Sequence, residues 1–129
     1  MNPDERRALG AHYTEETNIL KVISPLFLDE LKEEFEKARV NPRKLDQLHD
    51  KLSKIKFLDP ACGCGNFLVI AYRELRLLEI EILKEKHGKG QIQQVLDISH
   101  LSKINVDQFY GIEIEEFPAQ IAQVALWLM

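Results

Sequence analysis

Lys56-Phe-Leu-Asp-Pro-Ala-Cys-Gly-Cys-Gly-Asn-Phe-Leu68 is the stretch on which the fold of this chain turns. Ile55 to Leu58 read as a short buried strand, Asp59 falls at its carboxyl end, and Pro60 to Asn66 make the next turn. Asn66 or Gly65 then opens a helix. Gly63 and Gly65 admit positive φ and leave the main chain bare, so a ligand comes closer than any Cβ would allow. Small residues at Ala61, Cys62 and Cys64 keep the wall low. The layout parallels a dinucleotide-binding turn, except that Asp59 stands where a pyrophosphate would bring negative charge. A cationic or neutral ligand suits it better than a phosphate. The plain alternative is a glycine turn that merely joins strand to helix, and a lone G-x-G does not exclude it.

Two further segments bear on that choice. Phe109-Tyr-Gly-Ile-Glu-Ile-Glu115 reads as a second strand ending in carboxylates, with a helix beginning near Phe117 and Pro118. A carboxylate at the tip of a neighbouring strand accepts hydrogen bonds from two ribose hydroxyls, and Glu113 is assigned that role. An exposed acid at a strand end is its simpler reading. Leu9-Gly-Ala-His-Tyr-Thr-Glu-Glu-Thr17 precedes a helical pattern. Thr14 there serves as an N-cap, with Glu15 and Glu16 favourably placed in the first turn, and a capping role leaves contact with a ligand open. A ligand with a sulfonium, an ammonium and no phosphate, such as S-adenosylmethionine, fits the charge pattern of these segments.

Gly10-Ala-His-Tyr-Thr14, Asp59-Pro-Ala-Cys-Gly-Cys-Gly-Asn-Phe67 and Gly111-Ile-Glu-Ile-Glu115, in that order, resemble the motifs of bacterial adenine-specific DNA methyltransferases of restriction-modification systems. Asp-Pro-Ala-Cys-Gly is the sharpest single piece. The resemblance implies that Tyr13 and Thr14 reach the methionine end of S-adenosylmethionine. It implies that Asp59, Ala61, Gly63 and Gly65 line the amino-acid and ribose side, that Glu113 grips the ribose hydroxyls, and that Ile114 packs on the adenine. The implied reaction is methyl transfer to the exocyclic N6 amine of adenine in DNA. In that family an Asn or Asp followed by Pro-Pro and an aromatic residue receives the flipped base. This chain lacks the tetrapeptide, since neither Asn2-Pro3 nor Asn41-Pro42 continues that way. No catalytic residue is therefore assigned. The chain reads as the cofactor half of a longer enzyme, inactive alone, which meets DNA through its missing parts. The alternatives are a non-catalytic cofactor-binding or assembly fragment, and a methyltransferase acting on another substrate. An acid about 20 residues beyond the glycines is usual in compact nucleotide folds, and Glu113 lies much further on. That excess predicts a lengthened helix and an added loop.

The expected fold class is α/β, a partial Rossmann-like methyltransferase fold with an amino-terminal helical preface. Residues 1–54 form a helical segment carrying one cofactor motif, and residues 55–129 an incomplete Rossmann-like cofactor-binding segment. With 129 residues and 45% hydrophobic content the chain suffices for one small core. A formal net charge of -4 provides no electrostatic footprint for nucleic acid. No long apolar run or leader pattern is present, so the expected location is the cytoplasm, without membrane contact. Cys62 and Cys64 are too close for an ordinary disulfide framework, and a C-x-C without further Cys or His nearby lacks the ligands of a metal site.

Along the chain, Glu16 to Ile23 begins a helix, Pro25 interrupts or restarts it, and Leu28, Leu31 and Phe35 form one face up to Arg39. Lys32, Glu33, Glu34, Glu36 and Lys37 make the solvated face. Asn41-Pro42 is a strong helix start, with Leu45, Leu48 and Leu52 as its stripe and His49 at the surface or boundary. The longest helix is expected over Asn66 to His87, with Leu68, Ala71, Leu75, Leu78 and Ile82 inward and Gly88 and Gly90 as stops. A short helix at Ile92 to Asp97 is expected beyond it. His87 and His100 receive no chemistry. Two strands alone are marginal, so self-association or unusual helix packing is expected to cover the open edge.

Overall fold

Proline sets the course of the chain from its first described turn. The computed structural model describes residues 16–60, 66–88, 101–112 and 116–128. Residues 16–23 are α-helical and run straight into a π-turn, Ser24–Leu28, then into helix α1, Asp29–Ala38. Pro25 has no amide hydrogen to give to the preceding turn, and the helix widens there instead of ending. The Asp29 amide accordingly donates five residues back, to the Ser24 carbonyl. The sequence places the inward face correctly, with Leu28, Leu31 and Phe35 buried, but not the change of helical pitch.

Helix α2, Pro42–Lys54, starts as its first residues dictate. The Asn41 side-chain oxygen accepts from the amides of Arg43 at 3.1 Å and Lys44 at 3.3 Å, and Pro42 occupies a first-turn position where no amide hydrogen is needed. Leu45, Leu48 and Leu52 are buried, the last completely. His49 is buried with them, only 1% exposed, which corrects its reading as a surface or boundary residue. The Glu79 carboxylate on the facing helix supplies the polar partner that makes this burial tolerable.

Strand β1 is Phe57–Asp59, helix α3 is Asn66–His87, and strand β2 is Phe109–Gly111. The first strand starts two residues later than Ile55 and includes Asp59. The strands pair in parallel, with Phe57 opposite Phe109, Leu58 opposite Tyr110 and Asp59 opposite Gly111. A parallel pair requires a crossover, and α3 lies within it. Its 22 residues account for much of the long separation between the glycine turn and the second acidic strand. Gly88, at φ +78°, ends α3 in a left-handed conformation, and its amide donates to the Lys84 carbonyl at 2.9 Å. Helix α4, Glu116–Leu128, comes after β2, with Pro118 in its first turn as the sequence requires. The expected helix over Ile92 to Asp97, Gly90 and His100 lie outside the described residues.

The described residues are thus mostly helical around a two-stranded parallel sheet. One continuous core joins Leu31, Phe35, Leu45, Leu48 and Leu52 of the first helices to Leu68, Leu75, Leu78 and Ile82 of α3 and to Phe109 of the sheet. Side chains alternate across a strand, so Phe57 and Phe109 share one face. Their rings stack at 5.0 Å, Phe27 of the π-turn meets Phe57 edge-on at 4.8 Å, and Tyr72 of α3 meets Phe109 edge-on at 5.1 Å. Leu58 and Tyr110, on the opposite face, are 63% and 47% exposed. No helix among the described residues is long and apolar enough to cross a membrane.

Candidate cofactor site at the strand ends

Parallel strands carry both carboxyl ends to one side, which makes that side a natural place for a ligand. Here the common end is held by main-chain pairing. Beyond the Asp59–Gly111 rung the Ile112 amide donates to the Asp59 carbonyl at 3.0 Å. Asp59 is half-buried at the end of β1, as its position in the motif predicts. Beside it lies a cavity of about 310 Å³, at the lower end of the range for small-molecule sites. Val22, Leu26 and Phe27 line one wall, and Phe57 to Pro60 with Phe67 and Ala71 line the other. Among the described residues, Asp59 is the only charged one in this lining. A larger groove of about 660 Å³ runs between α1 and α3, lined by Lys32, Glu36, Arg39, Glu74, Glu81 and Lys84 together with Phe35, Leu77, Leu78 and Ile80, and no strand end borders it.

Of the residues assigned to cofactor binding, Asp59 is the one whose position is described. Tyr13, Thr14, Ala61, Gly63, Gly65, Glu113 and Ile114 lie outside the described residues. The elements adjoining them are placed, however. Asn66, next in sequence after Gly65, starts α3, and Ile112 leads directly to Glu113. On the amino-terminal side, the Arg73 guanidinium of α3 binds the Glu16 carboxylate at 2.8 Å and the Glu74 carboxylate at 3.2 Å. The Glu16 bond raises the Arg73 pKa above its ordinary value, against the effect of burial, with Glu74 adding to the shift. This ion pair fastens the helical residues 16–23 onto α3.

The entry to β2 is held by side chains that lie outside the sequence motifs. The Glu79 carboxylate accepts from His49 Nε2 at 2.8 Å, Ser102 Oγ at 2.6 Å, and the amides of Lys103 at 2.9 Å and Ile104 at 3.3 Å. Burial alone would raise the Glu79 pKa. The bonds from His49, Ser102 and the Lys103 amide outweigh it and bring the pKa below its ordinary value. His49 donates through Nε2, and its buried Nδ1 has no partner among the described residues. Lys103 also binds Asp50 of α2 at 2.5 Å.

Gln108 completes the arrangement. Its Nε2 donates to the carbonyls of Leu52 and Ile55, each at 2.8 Å, and its Oε1 accepts the Asn105 amide at 2.8 Å. The Asn105 side chain in turn caps the short 3-10 turn Val106–Gln108. Asn105 and Gln108 have the spacing of a capping box, which is the sequence signal that could have found this turn. No grouping of His, Cys, Asp and Glu among the described residues has the arrangement of a metal site.

The domain family described as MmeI, DNA-methyltransferase domain, matches residues 35–129. DNA methyltransferase A of Bacillus subtilis (strain 168) is 46% identical over 126 residues, covering 97% of this chain and 14% of that protein. A putative type II restriction enzyme and methyltransferase of Methanocaldococcus jannaschii is 33% identical over 111 residues, covering 78% of this chain and 8% of that protein. Among solved structures, the type IIL restriction-modification enzyme MmeI, determined in complex with DNA, superposes with a TM-score of 0.82 at 70% identity. The alignment covers 99% of this chain and 17% of that one. The chain thus spans less than a fifth of these relatives.

Proposed function

The chain belongs to the MmeI DNA-methyltransferase domain family, and from that premise we propose that it is the cofactor-binding part of an S-adenosylmethionine-dependent enzyme that methylates N6 of adenine in DNA. The fold is then a partial Rossmann-like methyltransferase fold, with a helical preface over residues 1–54 and residues 55–129 as an incomplete cofactor-binding segment. The observation that carries this reading is the parallel register of β1 and β2. It sets Asp59 level with Gly111, two residues before Glu113, at the edge of an apolar cavity.

The described donor set fits the proposed cofactor. A single carboxylate among aromatic and aliphatic walls favours a ligand that carries positive charge and a flat base, and among the described residues no lysine or arginine lines the cavity to favour phosphate. When bound, S-adenosylmethionine supplies an electrophilic methyl group. Tyr13 and Thr14 hold its methionine end, and Asp59, with Ala61, Gly63 and Gly65, lines the amino-acid and ribose side. Glu113 accepts the ribose hydroxyls, and Ile114 covers the adenine. These residues bind and orient. The acceptor of the target amine's hydrogen bonds is not among them, because no Asn/Asp-Pro-Pro-aromatic sequence occurs in the 129 residues. That absence supports a second reading of the isolated chain, as a module that binds cofactor without performing transfer. DNA contacts, with a chain of net charge -4, fall to other parts of the enzyme.

Calorimetric titration of the full-length enzyme with S-adenosylhomocysteine tests the site. Asp59→Ala and Glu113→Ala are each expected to weaken binding about tenfold, the loss of one charge-assisted contact set. Unchanged affinity in both variants would remove the pocket. Transfer of labelled methyl to duplex DNA, followed by nucleoside analysis, decides the acceptor: label on any atom but adenine N6 overturns that assignment.

A further inference from the structure

Gln108 lies outside every cofactor motif, yet its side chain ties together the starts of both strands. Leu52 ends the buried stripe of α2, Ile55 stands two residues before β1, and Gln108 itself directly precedes β2. The two Nε2 hydrogens are used on the Leu52 and Ile55 carbonyls, and Oε1 is used on Asn105. The residue is 5% exposed, so water does not replace these bonds cheaply when they are lost. Among the described residues the ladder is short, with three paired residues on each strand, and burial of the Phe57–Phe109 face excludes a slip by one residue. A side-chain amide that bridges both strand entries adds to that register a fixed offset between the starts of the two strands. Glu79 performs the complementary task one turn earlier, holding the Lys103 and Ile104 amides against α3.

We infer that Gln108 is a positioning residue for cofactor binding, setting the height of Gly111 and Ile112, which lead in sequence to Glu113, against Asp59 at the β1 tip. The inference rests on the functional reading above. It differs from a packing role in one measurable respect: its effect on affinity passes through Glu113. A displacement on the order of 1 Å in such a contact suffices for a large loss.

The test is a double-mutant cycle on S-adenosylhomocysteine affinity in the full-length enzyme, using Gln108→Met, Glu113→Ala and the pair. Methionine keeps length and volume and removes the amide. Gln108→Met is expected to weaken binding about tenfold, and to add little once Glu113 is alanine. Independent, multiplying losses, or an unchanged Gln108→Met affinity alongside a lower melting temperature, would reduce Gln108 to a packing residue. Should circular dichroism show Gln108→Met to be unfolded, the same cycle with Gln108→Asn decides, because asparagine keeps a polar amide and is one methylene too short to reach both carbonyls. Multiplying losses there overturn the inference equally. Failure of the wild-type enzyme to bind would instead sink the cofactor reading itself, and this inference with it.

Discussion

Glu79 is a carboxylate 1% exposed in the middle of a leucine-rich helix, and its neighbours explain how the fold tolerates it. Oxygen Oε2 meets His49 and two main-chain amides, while Oε1 meets Ser102. Because these donors favour the charged form strongly enough to overcome burial, the folded pKa lies below the unfolded one. Stability from this group is thus fully present above the unfolded value, about 4.3. It is lost as the pH falls through the lower, folded value. Glu79→Gln should cost about 2 kcal/mol at pH 7, and the gap in melting temperature between the two proteins should close on acidification below pH ~4. A gap of constant size from pH 7 to pH 3 would contradict this. Nothing in the sequence marks the pair. His49 and Glu79 are 30 residues apart on different helices, and each by itself reads as a polar residue on a solvated face. Only the packing of α2 on α3 makes them partners. Asp59 is legible for the opposite reason, since its position depends on the strand and turn immediately around it.

At the scale of elements, the most dependable signals are those whose chemistry is local. Asn41-Pro42 predicts the start of α2 because cap and first turn are satisfied by adjacent residues. The stripes of α2 and α3 point inward because helical period alone brings them to one face. Asn41→Ala removes an acceptor shared by two amides and should lower stability by about 1 kcal/mol, read as a shift of the urea midpoint. Asn41→Asp should retain most of it, and equal losses in both variants would show that the cap is not the source. The π-turn is less legible. Pro25 signals a disturbance, but whether the helix breaks or widens there is decided by the burial of the next residues. Phe27 is drawn onto Phe57 and Leu28 into the core, so continuing the helix buries more apolar surface than stopping it. The boundary of β1 lies later than expected for a similar reason: Ile55 is apolar but lends its carbonyl to Gln108 instead of to a strand ladder.

For the molecule as a whole, the asymmetry of the sheet matters most. α3 covers the face bearing Phe57 and Phe109, while Leu58 and Tyr110 on the other face, and Ile112 just beyond, are substantially exposed. On α4, Val124, Trp127 and Leu128 are exposed as well, Trp127 to 79%. Among the described residues each strand pairs on one side only. An exposed apolar sheet face of this kind normally marks a contact surface. For the 129-residue chain on its own, the expected consequence is self-association through the Leu58 face. Burying a leucine contributes about 1.5–3 kcal/mol, so Leu58→Lys should weaken association by about tenfold or more. Sedimentation velocity across a concentration series checks it: the weight-average coefficient should rise with concentration for the unaltered chain and stay near the monomer value for Leu58→Lys. A folded chain that remains monomeric at every concentration would show that the exposed face is stable in water, and that the two-stranded sheet needs no cover.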